Sequence, residues 1–565
     1  MRRVLVTFSL TLMCLAGFLP NFQVAATPTC SASASPPWQI CGPIEAFTGL
    51  DIQPAILQAQ DQTLSLAWTA NHDANSKLTQ NFNILYDTRL PNGTWLPASL
   101  LTNLGGKNQN PALAQTADGT IYLFWSYTST SMTHSSIYYR TFRAGAWSSY
   151  TRVTSPTNGY NDTGPSSTVA RDGTLWLVWT RDNSTSIGTA PVFRQLWYKT
   201  LSGGIWSTET NLTSTSDINW NWQPSVTVGK DNVVRLAYAR GQATLSNFQI
   251  TYLNRTNTGW SSPTTIVSST SSNVNPSLMQ DRNGTIWIFW SRTVPVGTLN
   301  DYVIYSKFSV DNGNHWGTEK ALTSISCGLS TCIDSQNPAA VQAAVPANTT
   351  TTTIDLKIHV FYATDPSVTG FDIWSLDSAP IAPVHDVAVT AYSPSSALQY
   401  QGGLASIGQS SNITISVTVT NPGDFNESVT LTLTATNATN YLVGVKTMLV
   451  LSRGGTVFLF NWNTTGVTPA RYGLSAVITP VPGETLGNQA DDSLKMTNQI
   501  HILPLGDVDQ DGSVTIIDVT TFFYDYNAVR GMPGSRYNPY CDLINTGIIN
   551  IIDIGIVLRT YNTFT

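Results

Sequence analysis

The side chains best spaced for chemistry are carboxylates near the C-terminus. In LGDVDQDGSVTIIDV, Asp507, Asp509 and Asp511 take positions one, three and five of a twelve-residue loop, with Gly512 at six, Ser513 at seven, Thr515 at nine and Asp518 at twelve. Alternating carboxylates around a glycine that permits a sharp turn form the oxygen cage that calcium requires. A solvated acidic turn is the plain alternative. A second copy, CDLINTGIINIIDIG, keeps Asp542, Gly547, Asn550 and Asp553 at positions one, six, nine and twelve, but has Ile544 and Thr546 at three and five. One calcium ion is therefore expected, and the second loop is degenerate.

A second set of candidates spans the first two thirds of the chain. Asp51, Asn108, Asp162, Asn221, Asn273 and Ser335 each stand three residues before a recurring proline, and read as a polar ring. Arg181, Arg240 and Arg292 each follow a recurring aromatic by two residues. Guanidinium forks converging from neighbouring repeats would suit a carboxylate ligand; solvated strand ends are the alternative. Asp51 and Asp162 are the carboxyls on offer as acid and base, since glycoside hydrolysis needs two of them roughly 5 to 10 Å apart.

These residues sit in a repeat that returns six times. Each unit opens with a polar residue and a proline, at Pro54, Pro111, Pro165, Pro224, Pro276 and Pro338. A turn follows, then a short strand ending in an aromatic, at Trp68, Trp125, Trp179, Tyr238, Trp290 and Tyr362. A third strand leads through a Gly/Asn turn to a tryptophan that starts the fourth, at Trp95, Trp147, Trp206, Trp260 and Trp316. The sixth unit lacks this tryptophan, and Trp38 supplies it from the front of the chain. The pattern predicts a six-bladed β-propeller over 30–382, closed by its own N-terminal strand, with protected sheet edges. The stripe of aromatics reads as packing between blades. Chain direction puts the fourth-to-first and second-to-third loops on one face, where ligands would sit.

One turn carries a family signature. Ser309, Asp311, Gly313 and Trp316 in SVDNGNHW match the SxDxGxxW Asp box, and the propeller resembles the sialidase-like family. There the motif is a structural turn, with the glycine accepting φ > 0. The resemblance implies a catalytic set that is missing here: no arginine in the first strand, and only Glu45, Glu209 and Glu319 as glutamates in the ring.

The period changes after residue 382. Runs such as SNITISVTVTNPG and ESVTLTLTAT predict a β-sandwich over 383–503 that resembles CARDB modules of the Ig fold. The two acidic loops, each leading into an apolar helix, make 504–565 resemble a type I dockerin, a small α-helical, EF-hand-like module. The resemblance implies a cohesin-like partner and two calcium ions. Ile516, Ile517, Ile551 and Ile552 stand where polar recognition residues are frequent in that family.

The N-terminus reads MRRVLVTFSLTLMCLAGFLPNFQVAA, a secretory signal over 1–26 rather than an anchor, because Pro20 ends a short apolar run. No later segment of the mature chain could span a bilayer. Of the six cysteines, Cys30 with Cys41 and Cys327 with Cys332 bracket short loops, as pairs in an oxidising compartment do. Cys541 is left over. Sequons recur, at Asn92 and Asn161 among others, as in a surface glycoprotein. With 11% charged residues, a net charge of −6 and no basic cluster, nucleic acid is not an expected partner. The expectation is a secreted or cell-surface propeller that binds carbohydrate or another surface ligand and is tethered through a calcium-ordered dockerin. A sialidase-like glycoside hydrolase of polysaccharide catabolism and a structural surface-layer or adhesion component are the alternatives.

Overall fold

The computed structural model describes residues from Thr29 to Tyr561, apart from short internal stretches of which 184–192, 325–333 and 343–356 are the longest. The expected leader and the Cys327 and Cys332 pair lie outside the described residues. The chain is mainly β, and two helices close it, α1 (Ile516–Tyr524) and α2 (Ile551–Thr560).

Six antiparallel units follow one another. Their first strands are Asp51–Gln58, Lys107–Gln115, Asn161–Val169, Trp220–Val228, Asn273–Gln280 and Ser335–Gln342, each paired with the next strand along the chain. The polar-proline motif is a bulge. Register shifts at this point in all six pairings. The residue before each proline has positive φ: Gln53, Asn110, Gly164, Gln223, Asn275 and Asn337. An extra residue there bends the strand and turns that residue's own N–H outward. That N–H stitches the unit to its predecessor: Asn110 N donates to Thr69 Oγ1 at 3.1 Å, Gly164 N to Ser126 Oγ at 3.0 Å, Gln223 N to Thr180 Oγ1 at 3.1 Å and Asn337 N to Ser291 Oγ at 3.0 Å.

Apolar clusters fill all six seams. Trp125 packs with Leu113 and Ile84 between units one and two, and Trp290 with Leu278 and Ala237 between four and five. The seam from six back to one holds Phe361, Ala363 and Ile373 against Trp68 and Leu85, so the ring closes. Gln39–Glu45 pairs antiparallel with Asp372–Asp377 as the outer strand of unit six. Trp38 stands edge-on to Phe289 at 5.8 Å, tying that strand to unit five. A Cys30–Cys41 disulfide joins Thr29–Ala32 to this closing strand. In the Asp-box turn, Ser309 Oγ donates to Asp311 Oδ1 at 2.8 Å, Gly313 has φ +91°, and Trp316 packs on Tyr252.

The second region stacks Ala388–Pro394, Asn412–Thr420 and Gly455–Asn463 against a larger sheet around Val417, Leu431, Phe458 and Trp462. Most strands of this region pair antiparallel, and Leu404–Gly408 runs parallel to Ile500–Leu503. This region caps the ring on the face of the first-to-second-strand turns. Residues 420–422 and 454–455, with the ends of the six first strands, enclose a cavity of about 1020 Å³. Matching turns of units three, four and five send one base each across the junction. Arg171 meets Asp491 at 2.6 Å, Lys230 meets Asp386 at 2.5 Å and Arg282 meets Asp424 at 2.9 Å. Among the described residues, the ion pairs between the two regions all lie on this face.

Candidate functional site

The expected polar ring lies inside the units rather than around a mouth. Asp51, Asn108, Asp162, Asn221 and Asn273 are each 0% exposed, and Ser335 is buried. The recurring tryptophans explain the burial, because an indole N–H in a core needs an acceptor. Trp68 Nε1 donates to Asp51 at 2.6 Å, Trp125 to Asn108 at 3.0 Å, Trp179 to Asp162 at 2.9 Å and Trp290 to Asn273 at 2.9 Å. Unit four has Tyr238 in place of the indole, and Asn221 turns its amide to Gln195 and Asp217.

The three arginines do not converge. Arg181 donates to Asp162 and, at 2.8 Å, to Glu209. Arg292 donates to Asn273 Oδ1 at 2.7 Å and Glu319 at 2.6 Å, and lies over the Tyr305 ring. Arg240 reaches Asp217 at 3.0 Å. Arg181 and Arg292 are spent within their own units, whereas Arg240 bonds Asp217 through Nη2 alone and its side chain stays 36% exposed. Two of the acids were legible, since Glu209 and Glu319 both follow a unit tryptophan by three residues. Burial raises the Asp162 carboxyl against the pull of Arg181.

Asp51 holds a partner that sequence reasoning missed. His72 Nε2 lies 2.8 Å from Asp51 Oδ1, both groups fully buried. Burial opposes charge on the imidazole, but the neighbouring carboxylate outweighs it and the His72 pKa rises.

On the uncapped face, two further carboxyls stand out. Burial first, then Asp301 and Asp365, push Asp334 up to about 6. Asp372 is pushed up to about 6 by burial, then by Asp51 and Asp365. Both are partly buried and keep access to solvent. Asp365 therefore lies within electrostatic reach of both, and its N–H donates to the Asp334 carbonyl. Neither residue falls on the repeat pattern, so periodicity gave no signal for them.

An aromatic cluster reaches Asp334 through Tyr302. Trp220 and Trp222 flank the Arg194 guanidinium at 4.4 and 4.6 Å, and Trp222 packs on Phe248 at 5.3 Å. Tyr302 packs against the same cluster, and its N–H donates to Asp334 Oδ1 at 2.7 Å. The Arg194 guanidinium thus lies against both indole rings, and the cluster meets Asp334 through the Tyr302 backbone. The WNW run before Pro224 was the available signal for the first two rings.

At the C-terminus, Asp507, Asp509 and Asp511 each bring a carboxylate oxygen within 4.8 Å of the others. Asp518 accepts N–H groups from Val508 at 2.6 Å and Thr515 at 2.8 Å, which folds the loop back on α1. Asp507 Oδ1 is buried without a partner, and burial together with Asp518, Asp511 and Asp509 pushes this carboxyl up to about 7. Ser513 closes the turn by donating its N–H to Asp511. In the second loop, Asp542, Asn550 and Asp553 stand in the corresponding places, and Asn550 caps α2 as Thr515 caps α1. Cys541 is buried and unpaired.

No known protein family matches the chain, and no curated protein does. Among solved structures, a protein of unknown function from Dyadobacter fermentans is 12% identical with TM-score 0.44, covering 59% of this chain and 95% of its own. An α-L-arabinofuranosidase of Fusarium graminearum, solved with arabinobiose, is 13% identical with TM-score 0.39, covering 62% and 97%. A CARDB domain from Pyrococcus furiosus is 19% identical with TM-score 0.16, covering 21% and 89%.

Proposed function

We propose that the chain is an exported, carbohydrate-active β-propeller of six blades, and that glycoside hydrolysis is its chemistry. The observation that carries this reading is the link from Tyr302 to Asp334, which joins the Trp220, Trp222 and Phe248 cluster to a carboxyl titrating at about 6. Sugar rings stack their apolar faces on aromatic side chains, and glycosidic bond cleavage takes one carboxyl protonated near neutral pH and a second ionised. Asp334 and Asp372 are the residues we assign to those two roles.

Binding without turnover is the second reading. It is favoured by the internal pairing of Arg181, Arg240 and Arg292, which among the described residues form no cluster for an anionic substrate. A glycan array probed with the full chain and with Trp222→Ala tests the shared part. Binding that weakens in the variant supports a sugar site on this face, and an array empty for both proteins removes it.

In the same reading the sandwich is a CARDB-like spacer and the last segment a dockerin-like tether to a cohesin-like partner. The first loop fits calcium: its donors are hard oxygens, and Asp507 Oδ1 has no partner from the protein. Asp507, Asp509, Asp511, Ser513 and Asp518 would hold the ion, which would supply folding free energy to a small module.

A further inference from the structure

The two acidic loops are built as copies, yet their first aspartates have opposite surroundings. Asp507 leaves one buried oxygen without a partner. Asp542 leaves none. Its Oδ1 accepts the Thr546 N–H at 2.8 Å, and its Oδ2 accepts the Gly547 N–H at 2.7 Å, the Tyr537 hydroxyl at 2.6 Å and Arg530 Nη2 at 3.2 Å. Arg530 also donates from Nε and Nη2 to the Tyr537 hydroxyl, at 3.1 and 2.8 Å. Its backbone N–H bonds the Gly547 carbonyl, so the residue is anchored to the loop at both ends.

The rest of the loop agrees. Ile544 and Thr546 offer no carboxylate at positions three and five. The Asn550 amide oxygen is taken by the Ile552 N–H at 2.8 Å. Asp553 accepts the Asn550 N–H at 2.9 Å and the Ile544 N–H at 3.3 Å, as Asp518 does from Thr515 and Val508, so the loops differ at positions one, three and five rather than at twelve. A calcium ion needs six to eight oxygens. This loop has committed its first aspartate to a guanidinium, a hydroxyl and two amides. A guanidinium beside a buried carboxylate supplies the positive charge that a cation would otherwise bring.

We infer that the second loop is a metal-free copy, closed by Arg530 and Tyr537 in place of a cation, so that the C-terminal module takes one divalent ion and keeps its second half folded without any. The inference rests on the calcium reading of the first loop only for the count of ions.

The test uses the full chain, calcium chloride and amide hydrogen exchange read by mass spectrometry. In excess chelator, peptides covering 507–518 are expected to lose protection while those covering 542–553 keep it. Arg530→Ala is expected to speed exchange in 542–553 by about tenfold or more, the worth of a charged hydrogen bond, and to leave 507–518 protected in calcium. Tyr537→Phe, which keeps the ring, gives a smaller change in the same direction. Bound calcium measured after dialysis should fall by one ion per chain in Asp507→Asn and stay unchanged in Asp553→Asn. A calcium ion lost in Asp553→Asn, or protection of 542–553 that appears only with calcium, overturns the inference. Protection of 507–518 that ignores both chelator and Asp507→Asn instead overturns the calcium reading of the first loop and leaves the Arg530 closure standing on the exchange data.

Discussion

Arg181 grips Asp162 with both arms, Nε to Oδ1 at 2.6 Å and Nη2 to Oδ2 at 2.8 Å, in the interior of the third unit. The pair joins the polar position ahead of the proline to the arginine beyond the aromatic. Two sequence features that suggested a ligand site are therefore each other's partners. The Nε arm of this pairing recurs at Arg292 with Asn273, where the acceptor is neutral and Nη2 turns to Glu319.

That difference in charge makes a prediction. Arg181→Met leaves Asp162 buried without its cation and should lower stability by roughly 3 to 5 kcal/mol. Arg292→Met leaves a neutral amide in the interior and frees Glu319, whose side chain is 26% exposed to water, so it should cost less, about 1 to 3 kcal/mol. Urea denaturation of the two variants measures both, and equal losses would refute the ion-pair account.

Ring closure depends more on packing than on the disulfide. Cys30 and Cys41 lie on adjacent strands of one hairpin with a sequence separation of 11, so their bond constrains only a short loop. Cys30→Ser with Cys41→Ser should cost about 2 to 3 kcal/mol, whereas Trp38→Ala, which empties the seam between units five and six, should cost about 3 to 5 kcal/mol. Thermal unfolding of each variant against the parent gives the order.

The junction between ring and sandwich should respond to pH. Burial, then the nearby Asp386, pushes Asp491 up to about 7, despite its pairing with Arg171. An unfolded aspartate titrates near 4, so between about 4 and 7 the native state binds the extra proton. Its stabilising contribution is complete below about 4 and is lost as pH rises through 7. Exchange of peptides covering 484–492 should be slower at pH 5 than at pH 8 after correction for intrinsic rates, and Asp491→Asn should flatten the difference.

Much of the fold was legible because the same physical constraints recur in every unit. The proline marks a bulge, the second-strand tryptophan requires a buried acceptor, and Trp38 sits one interval ahead of Trp95. The site was less legible. Asp51, Asn108 and Asp162 are polar and regularly spaced, as both a ligand ring and a set of indole acceptors would be, and only burial separates the two. His72 ends a second strand, Asp372 opens a third strand and Asp334 precedes a first strand, at positions the repeat does not mark. Arg530 lies between the two acidic loops, and no spacing rule links it to Asp542.

The central claim is that Asp334, linked through Tyr302 to the Trp222 cluster, and Asp372 together cleave glycosidic bonds. Its direct test is the initial rate of release of reducing ends from a panel of polysaccharides by the full chain, by Asp334→Asn and by Asp372→Asn, across pH 4 to 9. The account predicts turnover that falls away on the alkaline side of about pH 6, where the acid loses its proton, a kcat lowered about 100-fold or more in each variant, and a raised KM in Trp222→Ala. Turnover unchanged in both carboxyl variants, or none on any glycan that the protein binds, would contradict it.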